Sequence, residues 1–243
     1  LVEAYKKNMI RSIISISSVI IITALSVVVN LIFLPLHSLG LIIWSRFVLA
    51  IVGVKFKVIG GEDLSAVNPC IILINHESAL DIPIAVAATR KPVRFMAKQE
   101  LFRVPFFGWL MRISNHIPID RKDRQKAIKS IERVSAKLVK KKISIIVSPE
   151  GTRSHTGEIA PFKKGAFRLA QSHNLPIVPV TIMGARHCIP NKTLTVIPGV
   201  VTVHIGKPVY TNQFKDIDEC IKNVRNSMVA LKKEYEQKRL ISA

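Results

Sequence analysis

The sequence predicts an α/β fold, a mixed sheet flanked by helices, behind an N-terminal pair of apolar, membrane-anchoring helices. Three observations lead there. Short β-branched runs alternate with amphipathic stretches from residue 55 onward, the pattern of strands and helices packed in layers. No Asp, Glu, Lys or Arg occurs from Ser12 to Ser45, a run of 34 residues. Several apolar runs end in a polar residue suited to chemistry, where a strand gives way to a loop. Residues 1–54 are therefore read as the anchor and 55–243 as the α/β domain, long enough to bury a sizeable core.

The anchor comes first. Ile13 to Leu34 alone exceeds the roughly 20 helical residues that cross a hydrocarbon core. Pro35 breaks the run and Gly40 loosens it. A second apolar stretch, Leu41 to Val54, contains Arg46. A charge at mid-bilayer costs about 2.5–3.5 kcal/mol. This piece is expected in the interface, with Arg46 snorkelling and Trp44 at headgroup depth. Both flanks are basic, Lys6, Lys7 and Arg11 before, Lys55 and Lys57 after, which favours the cytoplasmic side for both. The expectation is a helical hairpin that dips into one leaflet or crosses and returns. A secretory signal fits less well, since the apolar run exceeds the roughly 7–15 residues of such a leader and shows no clear cleavage site.

Strands and helices then alternate. Phe56–Ile59 is a short strand ended by Gly60-Gly61, and Cys70–Ile74 is a buried one. Ile82–Ala88 continues as helix, Val93–Ala97 as strand, and Ile117–Ile119 as another short strand. Ala127, Ile128, Ile131, Val134 and Leu138 mark one face of a basic helix. Ile143–Val147 is a buried strand stopped by Ser148-Pro149-Glu150-Gly151. Phe162, Ala166, Phe167 and Ala170 suggest a helix closed near Asn174. Ile177–Met183 suits a central strand if Pro179 falls where no N–H is needed. Leu194–Ile197 and Val200–Ile205, joined by Pro198-Gly199, suggest a hairpin. The last helix carries Phe214, Ile217, Ile221, Val224, Met228, Leu231 and Tyr235 as a packing face.

Composition narrows the partners. Against 16 Asp+Glu stand 36 Lys+Arg, a net charge of +20 that attracts anionic membrane faces, phosphorylated molecules or nucleic acid. Only 6% of residues are aromatic and no nucleic-acid-binding module is recognisable, so no nucleic-acid partner is expected. Cys70, Cys188 and Cys220 have no paired spacing and read as buried free thiols.

Candidate chemistry begins at Asn75-His76-Glu77-Ser78-Ala79-Leu80-Asp81, just after a strand. On one regular helix His76 and Asp81 would stand roughly 140° apart. They meet only if His76 precedes a helix whose first turn holds Asp81, where the helix N-terminus favours a carboxylate. Asp81 can then hold one imidazole nitrogen and leave the other as a general base. Ser78 reads as a helix cap. With no second His or Cys at ligand spacing, no metal is expected. Two other strand ends carry arginines, Ile119-Asp120-Arg121 and Pro149-Glu150-Gly151-Thr152-Arg153-Ser154. Pro149 and Gly151 make a tight turn that lets a ligand approach the backbone. Thr152 and Ser154 offer hydroxyls, and the guanidinium forks suit phosphate oxygens. Lys98, Lys163 and Lys164 could add charge. Ligands of α/β sheets gather beyond the carboxyl ends of strands.

Asn-His-x4-Asp at 75–81, Ile-Asp-Arg at 119–121, Pro-Glu-Gly-Thr-Arg-Ser at 149–154 and Val-Pro-Val at 178–180 come in that order. Together they resemble the four sequence blocks of the glycerolipid acyltransferases, in the lysophosphatidic acid acyltransferase branch, over roughly residues 55–210. Asn115 stands where a glycine is frequent and Ser148 where a phenylalanine is usual. The resemblance implies a glycerol-3-phosphate acyltransferase-like fold. It implies that His76 and Asp81 are catalytic and that Arg121, Glu150, Gly151, Thr152, Arg153 and Lys98 bind the substrate phosphate. The implied reaction moves an acyl group from acyl-CoA or acyl-ACP, as co-substrate with no other cofactor, to the sn-2 hydroxyl of membrane-borne lysophosphatidic acid. No acyl-enzyme is required. The implied location is a membrane, a bacterial inner membrane with the catalytic domain on its cytoplasmic face. Glycerol 3-phosphate or another lysophospholipid is the alternative acceptor. A non-catalytic basic protein of the membrane surface is the alternative from another class.

Overall fold

The computed structural model of the chain describes residues 2–32, 37–190 and 195–241. Two apolar helices lead. Helix α1 spans Val2–Ile32 and α2 spans His37–Ile51. Met9–Val29 within α1 is 21 residues of mean hydropathy 2.5 and, among the described residues, makes the one helix long and apolar enough to cross a membrane. The break expected at Pro35 lies outside the described residues. The 15 residues of α2 are too few to span.

The second apolar stretch is not simply interfacial. Val48, Leu49 and Val52 are buried and belong to the core under the α/β sheet. Trp44 does not keep its indole N–H for a headgroup, since Nε1 donates to Thr23 Oγ1 of α1 at 3.1 Å. Arg46 remains exposed. The apolar pair is thus tied to itself and, through α2, to the sheet.

Among the described residues the sheet has seven strands, in the order β1-β7-β6-β2-β5-β3-β4. They are β1 (Val54–Gly60), β2 (Ile71–Ile74), β3 (Val93–Lys98), β4 (Ile117–Ile119), β5 (Ser144–Val147), β6 (Ile177–Met183) and β7 (Gly199–Ile205). From β6 to β4 neighbours run parallel. β7 is antiparallel to β6 and parallel to β1, so the mixed sheet reverses direction once. β2 and β5 are buried along their whole length, as strands covered on both faces must be.

Among the described residues six further α-helices complete the layers: α3 (Asp81–Thr89), α4 (Phe107–Ile113), α5 (Arg124–Lys140), α6 (Gly165–Ser172), the single turn α7 (Ala185–Cys188) and α8 (Ile217–Ile241). One core cluster joins α2 and α3 to one face of the sheet through Ile72, Ile74, Ile84 and Val180. The other joins α5, α6 and α8 to the opposite face through Ile71, Leu73, Phe167 and Met228. Asp123 caps α5, its side chain accepting from Lys126 N at 3.0 Å.

Some expectations change. Thr195–Pro198 is not a strand, so there is no hairpin there. β7 already has β6 on one edge and β1 on the other, which leaves no edge for another partner. Val196 is buried instead, its amide donating to Ser12 Oγ at 2.9 Å; Leu194 lies outside the described residues. Ile128 is 41% exposed, whereas Ser135, two turns further along the same face of α5, is fully buried. Phe162 and Phe214 precede α6 and α8 rather than lying in them. Pro179 sits where the β6–β7 ladder ends, its carbonyl accepting from Gly206 N at 2.8 Å. The three cysteines are buried and free. Asn115 has φ of +60°, which explains why a glycine suits that turn and why Asn is tolerated.

Candidate active site

Because β2, β5, β3 and β4 are parallel, their carboxyl ends share one edge of the sheet. His76 follows β2, Glu150 to Arg153 follow β5, Lys98 ends β3, and Arg121 follows β4. Topology alone therefore lines up the sequence-predicted residues, in that order.

Asp81 opens α3 and is fully buried. Its Oδ2 lies 2.7 Å from His76 Nδ1 and accepts from the amides of Glu77 at 2.7 Å and Ser78 at 2.9 Å. With Nδ1–H donating to the carboxylate, Nε2 is left as the proton acceptor. The imidazole keeps 23% of its surface open. The carboxylate is held by amides ahead of the helix, in the loop itself. Leu80, not Ser78, occupies the cap position of α3. Ser78 is buried and contributes its backbone to Asp81.

The loop is pinned from both sides. Asn75 imitates a strand residue: its side chain donates to Ile182 O at 2.9 Å and accepts from Ile182 N at 2.7 Å. Glu150 Oε1 accepts from His76 N at 2.8 Å, and Ser154 N donates to His76 O at 2.7 Å. Both backbone groups of His76 are thus engaged by the loop after β5. Glu150 Oε2 accepts from Ala160 N at 2.9 Å. Sequence reading puts Glu150 among the phosphate contacts; the structure makes it a brace, 4% exposed, with both oxygens spent on backbone amides. Burial pushes its carboxyl up, against the pull of those amides. Beside it, Ser148 Oγ is buried with no hydrogen-bond partner among the described residues.

Gly151 also differs from expectation. Its amide closes the turn onto Ser148 O at 3.2 Å and is not free for a ligand. What the glycine supplies is room. At φ of +78° an added Cβ would lie 2.5 Å from Lys163 Nζ, so that ammonium rests against the turn. Thr152 and Arg153 are exposed next to it. Lys98 is half exposed and pairs with Glu100 at 3.2 Å. Arg121 is exposed at the end of a strand three places from β2, roughly 14 Å along the edge at about 4.8 Å per strand. Lys164 points elsewhere, to Asp218 at 2.6 Å. The structure therefore joins His76, Asp81 and Glu150, with Gly151 and Lys163 beside them; Arg153 lies exposed in the same loop, and Lys98 and Arg121 stand further along the same edge.

Sequence reading misses Glu77 and Lys232. Glu77 lies between the dyad residues, is 1% exposed, and pairs with the Lys232 ammonium of α8, itself 5% exposed. Burial raises the Glu77 carboxyl, against Lys232. From the same helix Arg225 Nε donates to Ala160 O at 3.0 Å, so α8 braces both loops from behind. The signal was a lysine four residues after Met228 on an otherwise apolar face; its partner could not be read from sequence.

The family model described as Acyltransferase matches residues 55–183. A 1-acyl-sn-glycerol-3-phosphate acyltransferase of Saccharomyces cerevisiae is 40% identical over 186 residues, 75% of this chain and 61% of that one. One from Cocos nucifera is 36% identical over 172 residues, 71% of this chain and 55% of that one. The chain thus spans less than two thirds of these curated relatives. The crystal structure of the 1-acyl-sn-glycerophosphate acyltransferase from Thermotoga maritima matches with a TM-score of 0.81 at 27% identity, covering 96% of this chain and 97% of that one.

Proposed function

The chain belongs to the acyltransferase family, and from that premise we propose that it acylates the sn-2 hydroxyl of lysophosphatidic acid to give phosphatidic acid. The donor is an acyl thioester, acyl-CoA or acyl-ACP, and no other cofactor enters the reaction. The observation that carries the reading is the 2.7 Å bond between His76 Nδ1 and a buried Asp81, at the sheet edge that also carries Arg153 and Lys163.

His76 Nε2 takes the hydroxyl proton as that oxygen attacks the thioester carbonyl. The C–O bond forms, the C–S bond breaks, and the proton passes from His76 to the leaving thiolate. Asp81 holds the ring in place and stabilises the imidazolium. Arg153 and Lys163 bind the acceptor's phosphate beside the dyad, and Arg121 and Lys98 extend the positive edge. The names of the relatives support the acceptor. An amphiphilic acceptor also gives α1 a use, since substrate and enzyme then share one membrane. We place the α/β domain on the cytoplasmic face, in a bacterium that of the inner membrane, with α1 and α2 dipping into that leaflet and returning, because the residues before the pair, Lys6, Lys7 and Arg11, and after it, Lys55 and Lys57, are all basic. No nucleic-acid partner enters this reading.

The test is thiol release by the purified chain, followed with a thiol-reactive dye. Lysophosphatidic acid, glycerol 3-phosphate and a neutral lysophospholipid are compared on one donor, then acyl-CoA against acyl-ACP. The reading expects turnover with lysophosphatidic acid and its near-complete loss in His76→Ala, which still binds vesicles. Turnover confined to another acceptor, or an active His76→Ala, overturns it.

A further inference from the structure

Beyond Lys98 the chain turns through Gln99–Arg103 and enters α4, which runs back from the carboxyl edge to the start of β4. The inner side of this helix, Phe107, Leu110 and Met111, lines a cavity of about 60 Å³ with Thr23 and Ser26 of α1. The outer side is apolar and exposed. Val104 is 45% exposed, Phe106 63%, Trp109 56% and Ile113 44%. Phe106 and Trp109 stack edge to face at 5.6 Å. Phe106 sits at φ of +59°, a costly conformation for a bulky residue, and the backbone holds its ring outward there. Exposed guanidiniums, Arg103 and Arg112, flank the patch.

We propose that this outer face of the 101–113 segment is a second membrane contact, seated in the headgroup region of a bilayer that contains anionic phospholipid. Three features select that occupant. The patch adjoins α1, which carries Met9–Val29, an apolar stretch long enough to cross a membrane and mostly unburied. Its composition, aromatic and aliphatic at the tip and arginine at the rim, suits the interface, where amphipathic rings and basic side chains concentrate. A second copy of the chain is disfavoured, because each carries a net charge of +20.

The contact has a consequence for the proposed reaction, and only that consequence rests on it. The patch begins three residues after Lys98, so seating it brings the catalytic edge to headgroup depth. An acceptor could then be acylated with its chain still in lipid.

The sequence has two tryptophans, and Trp44→Phe leaves Trp109 alone to report. This variant of the whole 243-residue chain is reconstituted into vesicles of equal parts phosphatidylcholine and phosphatidylglycerol, with or without bromine on the acyl chains near the headgroup. The proposal expects Trp109 emission to shift to the blue and to fall at least two-fold in brominated vesicles, in a His76→Ala background as well. It also expects Phe106→Glu to raise the apparent KM several-fold for vesicle-borne acceptor and to leave a short-chain, water-soluble analogue unaffected. Unquenched Trp109 in protein that still floats with the vesicles overturns the contact. So does Trp109 shielded by a second copy, seen as a dimer by sedimentation. Quenching without any thioester turnover leaves the contact standing and removes the proposed function.

Discussion

Lys232→Met removes one half of a buried ion pair and keeps nearly the same side-chain length. Lys232 is 5% exposed and Glu77 1%, so neither is well screened by water. Removing one partner of such a pair costs about 3–5 kcal/mol, because the other is left buried and alone. In a chain of this size each kcal/mol moves the melting temperature by about 2–4 °C, so the variant should melt roughly 10 °C lower near pH 8. The loss depends on pH. Glu77 is already raised above its ordinary 4.5 by burial. A raised carboxyl binds its proton more readily in the folded state, so its contribution to stability is full below 4.5 and falls as pH rises through the folded value. The charge of the Asp81 carboxylate adds to the rise, and Lys232 is the cation that limits it. Without it the folded value climbs further, so the deficit should be small at pH 5 and large at pH 8. Glu77→Gln combined with Lys232→Met should regain most of the stability and lose that pH dependence. The assay is thermal unfolding in detergent micelles at both pH values, with turnover measured in parallel. Turnover should drop in kcat with little change in acceptor KM, since the loop rather than the phosphate site is disturbed. A single variant that melts like the parent at pH 8, or a double variant no more stable than the single, would refute the reasoning.

Other substitutions separate the remaining roles. Asp81→Asn should lower kcat about 10³–10⁴-fold at nearly constant KM, measured by steady-state thiol release, because an amide no longer fixes the tautomer that leaves Nε2 free and no longer stabilises the imidazolium. Arg153→Ala should raise KM for lysophosphatidic acid roughly 10–100-fold and affect a neutral acceptor much less, which a comparison of the two acceptors checks. Gly151→Ala places a Cβ at positive φ against Lys163; calorimetry should show a loss of about 1–2 kcal/mol, and acceptor KM should rise.

Much of this molecule is legible in its sequence where local physics decides. β2 and β5 are four-residue strands rich in β-branched residues and buried on both sides, and such runs are hard to mistake when a turn residue closes them. The dyad is legible for a geometric reason: a five-residue interval can bring His76 to Asp81 only across the start of a helix. What escapes the sequence is what the third dimension supplies. That β7 would be claimed on both edges follows from strand order, which no local pattern encodes. Glu150 looks like a ligand beside Arg153 until the approach of residues 76 and 160 spends both its oxygens. Lys232 is 155 residues from Glu77, and no periodicity joins them.

The carboxylate of Asp81 reaches back over residues 77 and 78 and ends on the imidazole of 76. The interval from 76 to 81 therefore closes into a ring, and the number of residues in it is a dimension of the machine rather than a habit of the sequence. Ala79 or Leu80 could change identity and leave the ring shut. One residue inserted between 77 and 80 would carry the amides out of register, and a chain with every chemical group intact would be without its base.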